Sequence, residues 1–186
     1  MSQRGARILV GVFVFALALL GFGQCGYKKI QTFQSLENVE ADIARKFPSA
    51  DAMIPEGLAL YQKTSQSVTL IDARSAEEYQ VSRLKGALNL TEVEEILNFI
   101  ESRSDSNDPV VIYGSLGYRA AELAQEMEDR GVSNLSHLRG GIFRWANEGR
   151  EVVDANGNVT DWVHPYNKFW GRLLDKNRRF TLKESE

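Results

Sequence analysis

Val110-Val111-Ile112-Tyr113-Gly114-Ser115-Leu116-Gly117-Tyr118-Arg119 is the stretch on which the fold turns. Its four leading apolar residues predict a short strand buried on both faces, and the glycine-bearing residues after it predict a loop that enters a helix. A strand–loop–helix of this kind aims several backbone N–H groups at one point, where it presents a nucleophile or cradles an anion. The residue that opens the loop here is Gly114, which has no side chain to react. The functional question centres on that position.

Working outward, Val68-Thr69-Leu70-Ile71-Asp72-Ala73-Arg74 reads as a second near-continuous apolar strand, followed by a helical turn with Glu77, Glu78 and Tyr79. Gly86-Ala87-Leu88-Asn89-Leu90 reads as a short strand. Thr91, with Glu94 three residues on, has the spacing of a capping box opening a helix that runs to about Arg103. After the strand at 110–113, a helix over 118–130 closes at Gly131. A strand over 135–138 then leads into Arg139-Gly140-Gly141-Ile142-Phe143-Arg144-Trp145 and a last helical turn. Upstream, helices are expected over 36–47, closed by Pro48, and over 52–62, with Pro55 near its start. Strands alternating with helices at these intervals predict an α/β domain around a mainly parallel sheet.

These motifs resemble a rhodanese-like domain. Leu70 to Arg74 with Glu78-Tyr79 is similar to the family's first strand and turn, and Gly86 to Leu90 to its next strand. Tyr113 to Arg119 resembles its active-site loop, Leu138 to Ile142 with Trp145 its closing motif, and residues 54–60 its opening helix. The resemblance covers about residues 52–153 and implies a three-layer α/β fold. It also implies a loop cysteine that carries a persulfide sulfur from donor to acceptor, its thiolate favoured by backbone N–H groups and a helix N-terminus. Gly114 stands at that cysteine's position, and Ser82 and Arg83 stand where the family typically has glycine and histidine.

The remainder of the chain divides into three. Residues 1–27 hold Arg4 and Arg7, then an apolar run over 8–20 and a glycine-rich end, the pattern of a signal peptide or a membrane anchor. They predict a body outside the cytoplasm, periplasmic if the source is bacterial. Residues 28–51 form a connector with a short helix. Residues 154–186 form an aromatic and basic tail in which Trp162, Tyr166, Phe169, Trp170, Leu173 and Leu174 fall at helical spacing. That pattern predicts a C-terminal helix packed on the domain, on an anionic membrane surface or on a protein partner.

Composition limits what the 186-residue chain does. A net charge of −3 without a clustered basic surface argues against nucleic acid. Cys25 is the only cysteine, so no intramolecular disulfide forms, and with two separated histidines no metal site is expected. No cofactor is implied either. The expected site is therefore an anion-binding loop of Gly114, Ser115, Leu116, Gly117, Tyr118 and Arg119, supported by Asp72 and Arg74 as a structural ion pair that holds Arg119 and the loop. Glu77, Glu78, Glu92, Glu94 and Glu95 read as solvated helix faces, and Trp145 as core. No catalytic residue is assigned. The function expected is a binding or accessory module without sulfurtransferase activity, taking a small oxyanion or a partner's acidic side chain. The alternative is an enzyme of altered chemistry, sulfurtransferase-related or dependent on Ser115, with His137 the conceivable base.

Overall fold

A computed structural model describes residues 34–64, 66–103 and 108–182. The leader over 1–27, with Cys25, lies outside them. Among the described residues no helix is long and apolar enough to cross a membrane.

The centre is a five-stranded parallel sheet in the order β1-β5-β4-β2-β3. Its strands are β1 (Ala52–Met53), β2 (Thr69–Asp72), β3 (Leu88–Asn89), β4 (Val110–Tyr113) and β5 (Leu135–Leu138). Every residue of β4 is buried. Alternation along the two middle strands sends Leu70, Val111 and Tyr113 into one apolar cluster and Ile71, Val110 and Ile112 into the other. The register Thr69↔Val110 to Asp72↔Tyr113 brings the C-terminal ends of β2 and β4 level. Both loops that build the site leave the sheet there.

Helices cover both faces. Leu36, Val39 and Ile43 of α1 (Leu36–Lys46) and Leu58 of α2 (Pro55–Lys63) fill the first cluster. Ile96 of α4 (Val93–Ser102) and Ala120, Leu123 and Met127 of α5 (Tyr118–Asp129) fill the second. Two short helices complete the set, α3 (Ala76–Val81) after β2 and α6 (Gly141–Asn147) after β5. Trp145 of α6 is buried and its indole N–H donates to the Glu151 carbonyl at 2.9 Å.

Three expectations need correction. Ala52 and Met53 are not helical but form an edge strand paired with His137 and Leu138, and the helix begins at Pro55, at its first position. The capping box of α4 uses Glu92 and Glu95, one residue beyond Thr91 and Glu94. The tail is not one continuous helix. After an antiparallel pair, β6 (Val152–Val153) and β7 (Val159–Thr160), it carries two 3-10 turns, Trp170–Leu173 and Lys176–Arg178. Tyr166 has a left-handed backbone (φ 62), and the Asn167 side chain accepts from the N–H groups of Phe169 and Trp170, so local bonds replace a helical ladder. The tail still packs on the domain. Val163, Leu173 and Leu174 are buried in the first cluster, and Asn147 holds both the Leu173 carbonyl and the Asp175 N–H at 2.9 Å.

Candidate active-site loop

The loop from Gly114 to Gly117 is held from beneath by backbone. The carbonyls of Gly114 and Ser115 accept from Ile142 N and Phe143 N at 2.9 and 3.1 Å. This clamp needs Gly140 and Gly141, both left-handed (φ 72 and 58): a Cβ on Gly141 would stand 2.3 Å from the Gly114 oxygen. Gly117 (φ 109) then caps α5, whose first-turn N–H groups have no partners within the helix. Gly114 differs from these three glycines. Its backbone is not left-handed, and a Cβ built there would meet nothing within 4 Å. The chain needs no glycine at 114 to make its turn; the position is simply open.

Below the loop, Asp72 and Arg74 form a fully buried ion pair at 2.7 Å. Arg74 also donates to the Ser82 carbonyl, and Asn89 donates to the carbonyls of Asp72 and Arg74 at 2.9 Å each. The pair thus ties β2 to the segment leading into β3. The Asp72 carboxylate favours the charged form of Arg74, which sits above its ordinary pKa despite the opposing effect of burial. Arg119 is not part of this network: its guanidinium reaches the Thr91 carbonyl at 2.8 Å and Glu92 at 3.4 Å.

Glu78 is not on a solvated face. It is buried, its Oε1 accepts from the Ser115 hydroxyl at 2.5 Å, and its Oε2 accepts from Ser75 N at 3.3 Å as half of a capping box. Ser75-Ala76-Glu77-Glu78 carries the sequence signal for this, since a serine with glutamate three residues on turns that carboxylate back toward the chain before the helix. His137 is not brought to Ser115. It lines a small pocket of about 90 Å³ with Phe47 and Glu40, and burial lowers its pKa.

The loop opens into a pocket of about 630 Å³. All six expected loop residues line it, together with Arg74, Glu78, Glu92 and Glu95. Two further lining residues, Tyr166 and Trp170, come from the tail, and their role is not visible in the sequence. Trp170 stands 6.4 Å from the Tyr118 ring and packs edge-on to Phe169 at 4.9 Å. The Tyr118 hydroxyl donates to Asp42, and desolvation followed by this bond raises its pKa. His164 lies in the field of Glu78 and Arg74; burial dominates and lowers its pKa.

The family model described as the rhodanese-like domain matches residues 56–148, half of the chain. The chain belongs to this family. A thiosulfate sulfurtransferase of Actinobacillus succinogenes is 26% identical over 93 residues, covering 50% of this chain and 82% of that protein. A tRNA uridine(34) hydroxylase of Corynebacterium kroppenstedtii is 32% identical over 114 residues, covering 58% of this chain and 36% of that protein. A probable adenylyltransferase/sulfurtransferase of Mycobacterium tuberculosis is 25% identical over 118 residues, 62% of this chain. The alignment spans only 30% of that relative's length. The crystal structure of a thiosulfate sulfurtransferase from Pseudomonas aeruginosa superposes with a TM-score of 0.56 at 18% identity. It covers 78% of this chain and 24% of that one, and supports the rhodanese-like fold. The family-matched residues end before the tail that supplies Tyr166 and Trp170.

Proposed function

We propose that this rhodanese-like domain is a binding module that carries no sulfur of its own. One observation supports this above the others: Gly114 offers no thiolate, and the space beside its Cα is empty. A persulfide relay needs a nucleophilic sulfur at that point. The loop retains what would hold a ligand in its place. First-turn N–H groups of α5, which have no partners within the helix, favour negative charge at the loop. The ligand group received at Gly114 is a small oxyanion or an acidic side chain of a partner. The reading includes a place in the cell envelope, supported only by the charged and apolar pattern of residues 1–27; fractionation of cells expressing the full chain tests it.

The experiment is a paired assay of wild type and Gly114→Cys with thiosulfate and cyanide, alongside equilibrium titration of the wild type with thiosulfate and sulfate. Expected are saturable binding and no turnover by the wild type, and partial turnover by Gly114→Cys, since the structure has room for the new side chain. Wild-type turnover comparable to that of an active sulfurtransferase would overturn the reading.

A second reading rests on the short Ser115–Glu78 hydrogen bond, a hydroxyl facing a buried carboxylate that Ser75 orients. It makes Ser115 the nucleophile of an altered enzyme. A carboxylate is a poorly matched base for a hydroxyl, so this reading stands second. It requires a turnover that Ser115→Ala abolishes.

A further inference from the structure

We infer that His164 is a proton-operated latch on the pocket: its neutral ring holds Tyr166 at the rim, and a proton on that ring releases it. The inference concerns access to the pocket and does not depend on which ligand the pocket takes.

The latch is a single hydrogen bond. Nδ1 of His164 accepts from the Tyr166 N–H at 3.1 Å. A ring nitrogen accepts only when it carries no hydrogen, so the neutral ring is protonated on Nε2 alone. A second proton makes Nδ1 a donor that faces a donor, and the bond must break.

What it holds is a backbone shape that tyrosine does not choose by itself. Tyr166 is left-handed (φ 62), a region that bulky L-residues avoid. It sits at the centre of a three-residue turn that Asn167 N closes on the Pro165 carbonyl at 2.7 Å. With a positive central φ this is the rare, strained form of the γ-turn, whereas the common inverse form keeps the same closing bond at negative φ. The turn thus has a relaxed alternative that carries its central side chain elsewhere. Strained shapes persist where surrounding bonds over-determine them, and the His164 bond is one such restraint.

The flanks are fixed by contacts that do not titrate. Val163, Pro165 and Gly171 are buried, and the Asn167 side chain accepts from the N–H groups of Phe169 and Trp170. Opening is therefore confined to Tyr166. Its ring is half exposed and lines the pocket beside Trp170.

The direction of the response follows from the surroundings of the imidazole. Burial opposes its charge most strongly, Glu78 and Glu77 of α3 favour it, and Arg74 opposes it. The net is a lowered pKa while the latch is shut. A ring released to water returns toward the ordinary value of about 6.5. Protons bind the open state better, so falling pH drives opening and neutral pH keeps the latch shut.

The test is acrylamide quenching of tryptophan fluorescence in the full chain carrying Trp162→Phe, as pH is lowered through about 6.5. That substitution removes the exposed indole and leaves Trp170 at the pocket wall and the buried Trp145. Quenching is expected to step upward below that pH, while circular dichroism shows the fold retained. His164→Asn keeps an acceptor two residues before the Tyr166 N–H, as asparagine does in Asx-turns, and takes no proton. It should abolish the step at the low, protected level. His164→Ala has no acceptor and should quench at the high level at every pH. His137→Leu should leave the step in place, which separates the two histidines. A folded parent without the step, a step that survives His164→Asn, or low quenching in His164→Ala overturns the latch.

Discussion

Two glycines facing each other across the loop clamp should respond oppositely to the same methyl group. In Gly141→Ala the new Cβ would lie 2.3 Å from the Gly114 oxygen and 2.7 Å from the Ser115 oxygen, on a backbone with φ of 58. A left-handed conformation costs a non-glycine residue about 1–2 kcal/mol. Relief of the clash means withdrawing the two carbonyls that accept from Ile142 N and Phe143 N, and each backbone bond weakened adds about 1 kcal/mol. The expected loss is about 3–4 kcal/mol, which for a domain of this size is roughly 10 °C in melting temperature. Gly114→Ala meets open space on an ordinary backbone and reduces only the freedom of the unfolded chain, so it should be neutral or stabilise by up to about 1 kcal/mol. Urea denaturation of both variants at equal slope measures the difference. Equal destabilisation by the two substitutions would refute the reasoning, because Gly114 would then be required by the turn and its openness would carry no functional meaning.

Removing the carboxylate of the buried Asp72–Arg74 pair by Asp72→Ala should cost about 3–5 kcal/mol, read by the same denaturation, because it strands a guanidinium inside the fold. His137 and His164 both have pKa values lowered chiefly by burial, so the folded chain binds fewer protons than the unfolded chain just below pH 6.5. The stability they contribute is complete above that pH and is lost as pH falls through the folded-state values. His137→Leu should flatten the decline that sets in below about pH 6.5, and an unchanged slope would contradict the assignment.

The parts legible in the sequence are those whose pattern is local. β4 and β5 were readable to both ends because the apolar run 110–113 and the leucine-flanked segment 135–138 are bounded by Pro109, Gly114, Asn134 and Arg139. The helices of the two faces follow from spacing and from stops such as Gly131. Ala52 and Met53 escape such reading, since what makes them a strand is the distant edge of β5 and their own pattern runs on into α2. Helical spacing in the tail is overridden by Tyr166, by the Asn167 side chain and by the fit of Gly171 against Pro165, where a Cβ would stand 2.6 Å from the proline ring. At the site, the loop residues were legible as a unit, whereas charge class misled for Glu78 and Arg119. A buried glutamate and an outward-turned arginine are decided by partners dozens of residues away, Ser115 for one and Thr91 for the other.

One apolar cluster is shared by α1 at one end of the described chain and by Val163, Leu173 and Leu174 at the other. The shortest autonomously folding piece therefore reaches well past the family-matched residues in both directions. Trimming to 56–148 would strip Leu36, Val39, Ile43 and the tail leucines from an interior they share with Phe143 and Trp145. Recombinant fragments and fusion junctions belong before residue 34 or after residue 180, where Phe180 N donates to the Val163 carbonyl at 2.9 Å.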